Sequence, residues 1–208
     1  VALIVLLIVV VGGRITPAFT HNAFVRRGIE AAIRTRPWSA RASIALVALL
    51  PAVELSVPRT HWSGVAELAA AIAVGARMLG WQTLRTGRDP LLWSLHAGYA
   101  WVAIGLGLLG VADLSRAIPA TAGLHALSAG AMGSMILAVM TRVALGHTGR
   151  PLIAPRGIVL AYGMVHLGAF ARVGSALLPS MGAPALAAAA MLWAAGFGLF
   201  LALYAAIL

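Results

Sequence analysis

The sequence predicts an all-α fold, a polytopic bundle of about seven transmembrane helices. Of its 208 residues, 62% are hydrophobic and 10% are charged, whereas a typical soluble domain is about 45–50% apolar and about 25% charged. A soluble fold of this size exposes too much surface to hide so many apolar side chains from water. Lipid removes that difficulty, and helices cross it because they satisfy their own backbone hydrogen bonds.

Apolar stretches divide the chain into one truncated span and six longer ones, judged against the roughly 20 residues that cross a bilayer. Prolines fall in the connections, where a missing backbone donor costs least. The second span is short, and Pro37 is an alternative start for it. The predicted spans are 1–13, 43–57, 63–84, 91–112, 121–144, 157–178 and 184–208. The first begins inside an apolar run without a Met, so we expect residues 1–208 to be one transmembrane domain of a longer protein.

The distribution of Arg between the connections predicts the orientation of the bundle. One set of connections holds eleven Arg and the opposite set holds Arg59 and Arg116. Because basic loops stay on the cytoplasmic side, the richer set and the C-terminus should be cytoplasmic. A net charge of +10 would suggest nucleic acid in a soluble protein; here we expect the bilayer and its anionic lipids, not nucleic acid, as the partner.

Residues 22–41 form the longest predicted connection, with five Arg and Trp38. Two interpretations stay open for this segment. It is either an amphipathic helix on the inner leaflet or a solvated basic linker.

Ionisable side chains at membrane depth are functional candidates, because inserting a charge costs roughly 2.5–3.5 kcal/mol. A rise of 1.5 Å per residue predicts two polar layers. The inner layer takes residues from three helices: Arg77, His96, Tyr99, Tyr162 and His166. The outer layer contains Glu54, Glu67, His125 and Arg172, with Arg59 and His61 in the adjoining connection.

Imidazole is a common ligand of haem iron and of copper. His96, His125 and His166 are therefore candidate metal ligands, and two of them on different helices could hold a haem between them. Arg77 and Arg172 could pair with haem propionates, and Met132 and Met135 could join His125 at Cu(I). The sequence contains no Cys, which excludes thiolate sites and covalently attached haem in these residues.

Each candidate also has a structural interpretation. A lone intramembrane His is often a hydrogen-bonded packing residue, and Met often fills a core. Arg77 and Arg172 could instead pair with Glu67 and Glu54 or extend to the interface. His21 and His61 lie in connections and are weaker candidates.

Three segments resemble one known family. Residues 125–152, HALSAGAMGSMILAVMTRVALGHTGRPL, are similar to the NnrS signature H-A-x-x-x-G-A-M-G-x-M-x-L-A-V-M-x-R-V-x-L-G-H-T-G-R. Residues 91–109, LLWSLHAGYAWVAIGLGLL, resemble the preceding family helix, and GGRITPAFTHN at 12–22 resembles a further family segment. The resemblance covers nearly the whole chain.

Membership of this family would imply haem b and copper, the bacterial inner membrane, and a role in nitric oxide metabolism, denitrification or protection against nitrosative stress. It implies about twelve spans, with this chain as the C-terminal half and the N-terminal half as its partner. That other half carries a W-H-x-H-E-M motif that is absent here. The signature residues carried over to this chain are His96, His125, Arg142, His147 and Arg150, without individual roles. His147 lies in a Gly-flanked connection that either caps the fifth helix or binds an anion.

Two other functions stay open. A secondary transporter or proton-coupled carrier would use Glu54, Glu67, Arg77 and Arg172 as a substrate or proton path. A structural membrane subunit would need none of the intramembrane histidines.

Overall fold

The computed structural model describes residues 1–30 and 32–206. Within these residues every regular element is helical, so the predicted all-α bundle is confirmed. The seven long helices are α1 Ala2–Arg26, α2 Pro37–Ser56, α3 His61–Met78, α4 Pro90–Ser115, α5 Ala120–His147, α6 Arg156–Leu177 and α7 Gly182–Tyr204. Short 3₁₀ turns occupy Thr83–Thr86 and Pro179–Met181.

Six of these helices are long and apolar enough to cross a membrane, which makes the chain a multi-pass membrane protein. The exception is α3, whose 18 residues include His61, Glu67 and Arg77. These polar side chains lower its hydropathy, although α3 packs inside the bundle against α4 and α2.

The first helix differs most from its predicted bounds. It does not end near residue 13 but continues through Pro17 to Arg26. A π-helical segment at Ile8–Gly12 lies within it. Its second half is held by packing, because Ala23 and Phe24 are buried against Leu92 of α4. Contacts with another helix therefore extend α1 beyond the stretch that hydropathy marks.

The connection after α1 is not helical in its centre. Residues 29, 30 and 32–36 form no regular element, so of the two interpretations left open the amphipathic helix is wrong for them. The Arg34 amide donates to the Gly80 carbonyl at 2.9 Å, which ties this connection to the turn after α3. Pro37 begins α2, as the alternative boundary allowed.

Helix α4 is the centre of the bundle and packs on α1, α3 and α5. Glycines allow the closest of these approaches. At the crossing of α3 and α4, a Cβ on Gly64 would lie 3.0 Å from the Gly110 carbonyl oxygen, and a Cβ on Gly110 would lie 2.9 Å from that of Gly64. Helix α5 also packs closely on α4, where Gly130 lies under the Trp101 ring.

Candidate functional site

Both ring nitrogens of His96 form hydrogen bonds with threonine hydroxyls. Nε2 lies 2.9 Å from Thr20 Oγ1, and Nδ1 lies 2.9 Å from Thr83 Oγ1. The Thr20 hydroxyl donates its hydrogen to the Thr16 carbonyl at 2.8 Å, so it can only accept from the ring. His96 therefore carries its hydrogen on Nε2 and accepts at Nδ1 from Thr83. A metal could bind this side chain only if one of these hydrogen bonds broke.

His166 is held by a different set of partners. The Trp101 indole donates from Nε1 to His166 Nδ1 at 3.1 Å. Because indole nitrogen is only a donor, Nδ1 accepts and the neutral ring carries its hydrogen on Nε2. Ser134 Oγ lies 3.3 Å from the same Nδ1, and the Trp93 ring centroid is 5.7 Å from that of His166. The one lone pair of this tautomer, on Nδ1, is engaged by the indole and is not free for a metal.

The predicted inner layer therefore divides into two groups. In the first group, Trp81 packs on both His96 and Tyr99, with ring centroids 6.0 and 4.8 Å apart. In the second group, Trp93 lies between Tyr162 and His166, at 5.8 and 5.7 Å. A haem held between His96 and His166 does not fit this arrangement, because aromatic rings pack on both imidazoles and hydrogen bonds hold them.

Arg77 belongs to the first group and binds backbone carbonyls of α1. Its Nη1 donates to the Val9 carbonyl at 2.7 Å and its Nη2 to the Gly13 carbonyl at 3.0 Å. Neither carbonyl has the i+4 amide donor of a regular α-helix. In the π-helical segment the Gly13 amide bonds to Ile8 instead of Val9, and Pro17 has no N–H to give to Gly13. Arg77 also donates to Tyr99 Oη at 3.3 Å. The pairing with Glu67 that the sequence left open is not observed.

His125 is the candidate ligand with a free ring. It is partly buried, and within residues 1–30 and 32–206 its nitrogens make no hydrogen bond. It directly precedes the π-helical segment Ala126–Met132 of α5, and such segments occur often at functional sites. Met135 is buried and packs against Gly12 and Gly98, so it fills the core and lies away from His125.

The outer layer contains an ion pair that sequence reasoning missed. Arg59 Nη1 lies 2.6 Å from Asp113 Oδ1, and Ser63 donates to Asp113 Oδ2 at 2.7 Å. Carboxylate oxygens of Glu54, Glu67 and Asp113 lie within 4.8 Å of one another. Glu54 and Glu67 also line a cavity of about 690 Å³ with the apolar Val5, Leu106 and Leu127. Asp113 lies just beyond the predicted 91–112 span, so the hydropathy pattern did not indicate that it is buried.

The remaining signature residues lie at the C-terminal end of α5. Arg142 is buried, and its guanidinium carbon lies 4.1 Å from the Phe19 ring centroid, a cation–π contact with α1. His147 is exposed and ends the helix. Gly149 has φ +66° and the Arg150 amide donates to the Leu145 carbonyl at 2.9 Å. This backbone closes α5 in the manner of a glycine C-cap.

Arg172 and the two histidines in connections complete the predicted set. Arg172 lies in α6 and is partly buried. In the part of the chain that the structure describes, neither Glu54 nor Glu67 forms an ion pair with it, because the observed pairs are Arg27–Asp89 and Arg59–Asp113. His21 is exposed near the end of α1, and His61 is exposed at the start of α3.

Comparison with known proteins gives one match. The family model described as "NnrS protein" matches residues 1–208. No curated protein and no solved structure matches the chain.

Proposed function

The chain belongs to the NnrS family, and we propose that it is a haem- and copper-binding protein of the bacterial inner membrane that acts in nitric oxide metabolism or in protection against nitrosative stress. Family membership over the whole chain supports this proposal. The multi-pass helical bundle supports the membrane location. Bound haem iron or copper would supply a coordination position for nitric oxide.

The free ring of His125 is the observation that favours a metal ligand in this chain. Of the three histidines predicted as ligands, His96 and His166 have their lone pairs engaged by Thr83 and by Trp101. His125 has no such partner in residues 1–30 and 32–206, and it lies in the second turn of α5. We therefore propose His125 as the metal ligand of this chain, with His96 and His166 as hydrogen-bonded residues that support the bundle.

Metal and haem analysis of the full-length protein tests the proposal. The protein is produced with haem and copper supplied, and its Soret absorbance and copper content are measured for the wild type, His125→Ala and His61→Ala. The proposal predicts that His125→Ala loses haem or copper, whereas His61→Ala, which changes an exposed histidine, keeps both. Well-folded wild-type protein with no Soret band and no copper would remove the proposed function.

The acidic cluster of the outer layer favours a second candidate, a proton-coupled carrier. Glu54 and Glu67 share a cavity of about 690 Å³, and intramembrane carboxylates are typical of proton paths. Proton uptake into proteoliposomes that is lost in Glu67→Gln and kept in Glu30→Gln would support the carrier. Equal uptake by these two variants and the wild type would count against it.

A further inference from the structure

Arg77 is a buried cation without a carboxylate partner. Its side chain is 9% exposed, and a guanidinium stays charged in proteins. Among the residues that the structure describes, its four hydrogen bonds go to the carbonyls of Val9 and Gly13 and to the hydroxyls of Ser43 and Tyr99. All four acceptors are neutral. A buried charge is costly unless it meets an opposite charge, so Arg77 lacks the anionic partner that would offset the cost of its burial.

The hydrogen bonds of Arg77 also leave donors unused. A guanidinium has five N–H groups. The bonds from Nη1 engage both of its hydrogens, and the bond from Nη2 to Gly13 engages one. The Nε hydrogen and one Nη2 hydrogen have no acceptor within residues 1–30 and 32–206. Two donors on one guanidinium are what a bidentate contact with a carboxylate or phosphate requires.

Arg77 lines two cavities. The first, of about 310 Å³, lies between the 32–36 connection, the start of α2 and the end of α3. Its polar lining comes from Arg34, Arg36, Ser39 and Gln82 together with Arg77. No Asp or Glu lines it in the described part of the chain. This cavity therefore favours a negatively charged group.

The second cavity is larger, at about 550 Å³, and lies between α1 and α2. Its walls are mainly apolar, with Val10, Pro17, Ile33 and Ile44, and its polar residues are Arg14, His21, Thr35 and Arg77. No acidic side chain among the described residues lines it. A ligand that extended from the first cavity into the second would need an anionic end and an apolar body.

We propose that the two cavities form one binding site for an amphipathic molecule that carries a carboxylate or a phosphate, with Arg77 as the anchor and Arg34 and Arg36 at the entrance. The phosphate of an anionic phospholipid and the propionate of a haem share this chemistry. The haem source rests on the proposed function, and because His125 lines neither cavity, a haem held here would leave His125 for the copper. The phospholipid source is independent of the proposed function.

The test measures which amphiphiles stay bound to the full-length protein after it is washed in detergent. Phospholipid is quantified by mass spectrometry of an organic extract, and haem by its absorbance. The variants are Arg77→Gln, the double variant Arg34→Gln/Arg36→Gln, and Ile44→Trp, which fills the apolar cavity without changing charge. Arg88→Gln is the matched control, because Arg88 is exposed on the same side and lines neither cavity.

Wild type and Arg88→Gln should retain at least one amphiphile per chain. The other variants should show retention that is weaker by roughly tenfold or more, since a buried charged hydrogen bond is lost or the cavity is filled. Retained phospholipid without haem supports the site and leaves the proposed function unsupported. Retained haem that is lost in the same variants makes haem the ligand. Equal retention in all variants, or none in the wild type, overturns the proposal.

A folding defect in Arg77→Gln does not prevent the test. Arg34 and Arg36 are exposed and hold no other element through their side-chain hydrogen bonds in the described residues. The double variant is then decisive, and its fold is checked by gel filtration and circular dichroism.

Discussion

Arg77 reaches α1 directly over Gly13, where its Nη2 donates to the Gly13 carbonyl at 3.0 Å. A Cβ at position 13 would overlap the guanidinium. The absence of a side chain at Gly13 therefore lets Arg77 bind two carbonyls that have no i+4 amide donor.

Replacing Gly13 by Ala should displace Arg77 and leave these buried carbonyls unsatisfied. We expect a loss of about 2 kcal/mol or more, since each unsatisfied buried polar group costs about 1–3 kcal/mol. The measurement is the thermal unfolding midpoint in detergent. Gly146→Ala is the control, because a Cβ there meets only open space. Equal midpoints for the two variants would contradict the role of Gly13.

Replacing Thr20 by Val should destabilise the protein through His96. The substitution removes the acceptor for His96 Nε2–H and leaves a buried donor unpaired, which costs about 1–3 kcal/mol. Thr20→Ser keeps the hydroxyl and should stay close to wild type. Haem and copper content should be the same in both variants. A fall in cofactor content in Thr20→Val alone, at unchanged stability, would indicate that His96 acts at the metal.

Removing the indole donor from His166 is a separate test of its tautomer. Trp101→Phe keeps an aromatic ring but loses the bond to Nδ1, and a loss of about 1 kcal/mol is typical for such a bond. Trp93→Phe also replaces an indole next to His166 by a smaller ring, but it breaks no hydrogen bond that the structure shows between these residues. Thermal midpoints should fall further for Trp101→Phe than for Trp93→Phe. The reverse order would show that packing, not the hydrogen bond, fixes the ring.

The ion pair between Arg59 and Asp113 should show coupling in a double-mutant cycle. Asp113 is fully buried on its side chain, whereas Arg59 is 45% exposed. Removing one partner from a fully buried pair costs about 3–5 kcal/mol, and exposure of Arg59 reduces this to about 1 kcal/mol for Arg59→Gln. The double variant Arg59→Gln/Asp113→Asn should lose less stability than the sum of the losses in the two single variants. Additive effects of the two single substitutions would mean that the pair contributes little.

The orientation can be measured with cysteine labelling, because the chain has no natural Cys. Ala117→Cys lies between α4 and α5, and Ile153→Cys lies between α5 and α6; both sites are exposed. The Arg distribution predicts that a membrane-impermeant maleimide labels Ala117→Cys on intact spheroplasts and labels Ile153→Cys only after lysis. The opposite pattern would reverse the predicted topology.

Hydropathy was enough to predict the helices but not all of their ends. Apolar length located the six later helices with each end within six residues, the largest differences being the start of α2 and the end of α3. It missed the second half of α1, because Arg14 and Pro17 interrupt the apolar run. Contacts from other helices compensate for both features: Arg77 occupies the carbonyl that Pro17 leaves free, and Phe24 packs on Leu92. Such long-range contacts leave no local pattern.

Depth along each helix was also predicted better than direction around it. His96 and His166 lie in the same inner layer by sequence, but His96 meets α1 and the 83–86 turn, whereas His166 meets α4 and α5. A rise per residue gives height only. The facing direction depends on how helices pack, which is also why the pairing of Arg59 with Asp113 could not be read from spacing.

The glycine crossing of Gly64 and Gly110 limits which helices can move. With the backbones of α3 and α4 this close, any sliding or rotation of one against the other brings main-chain atoms into collision. The two helices should therefore move together as one rigid unit. The part of the 690 Å³ cavity wall that α3 and α4 supply, with Glu67 and Leu106, should therefore keep its shape when a ligand enters.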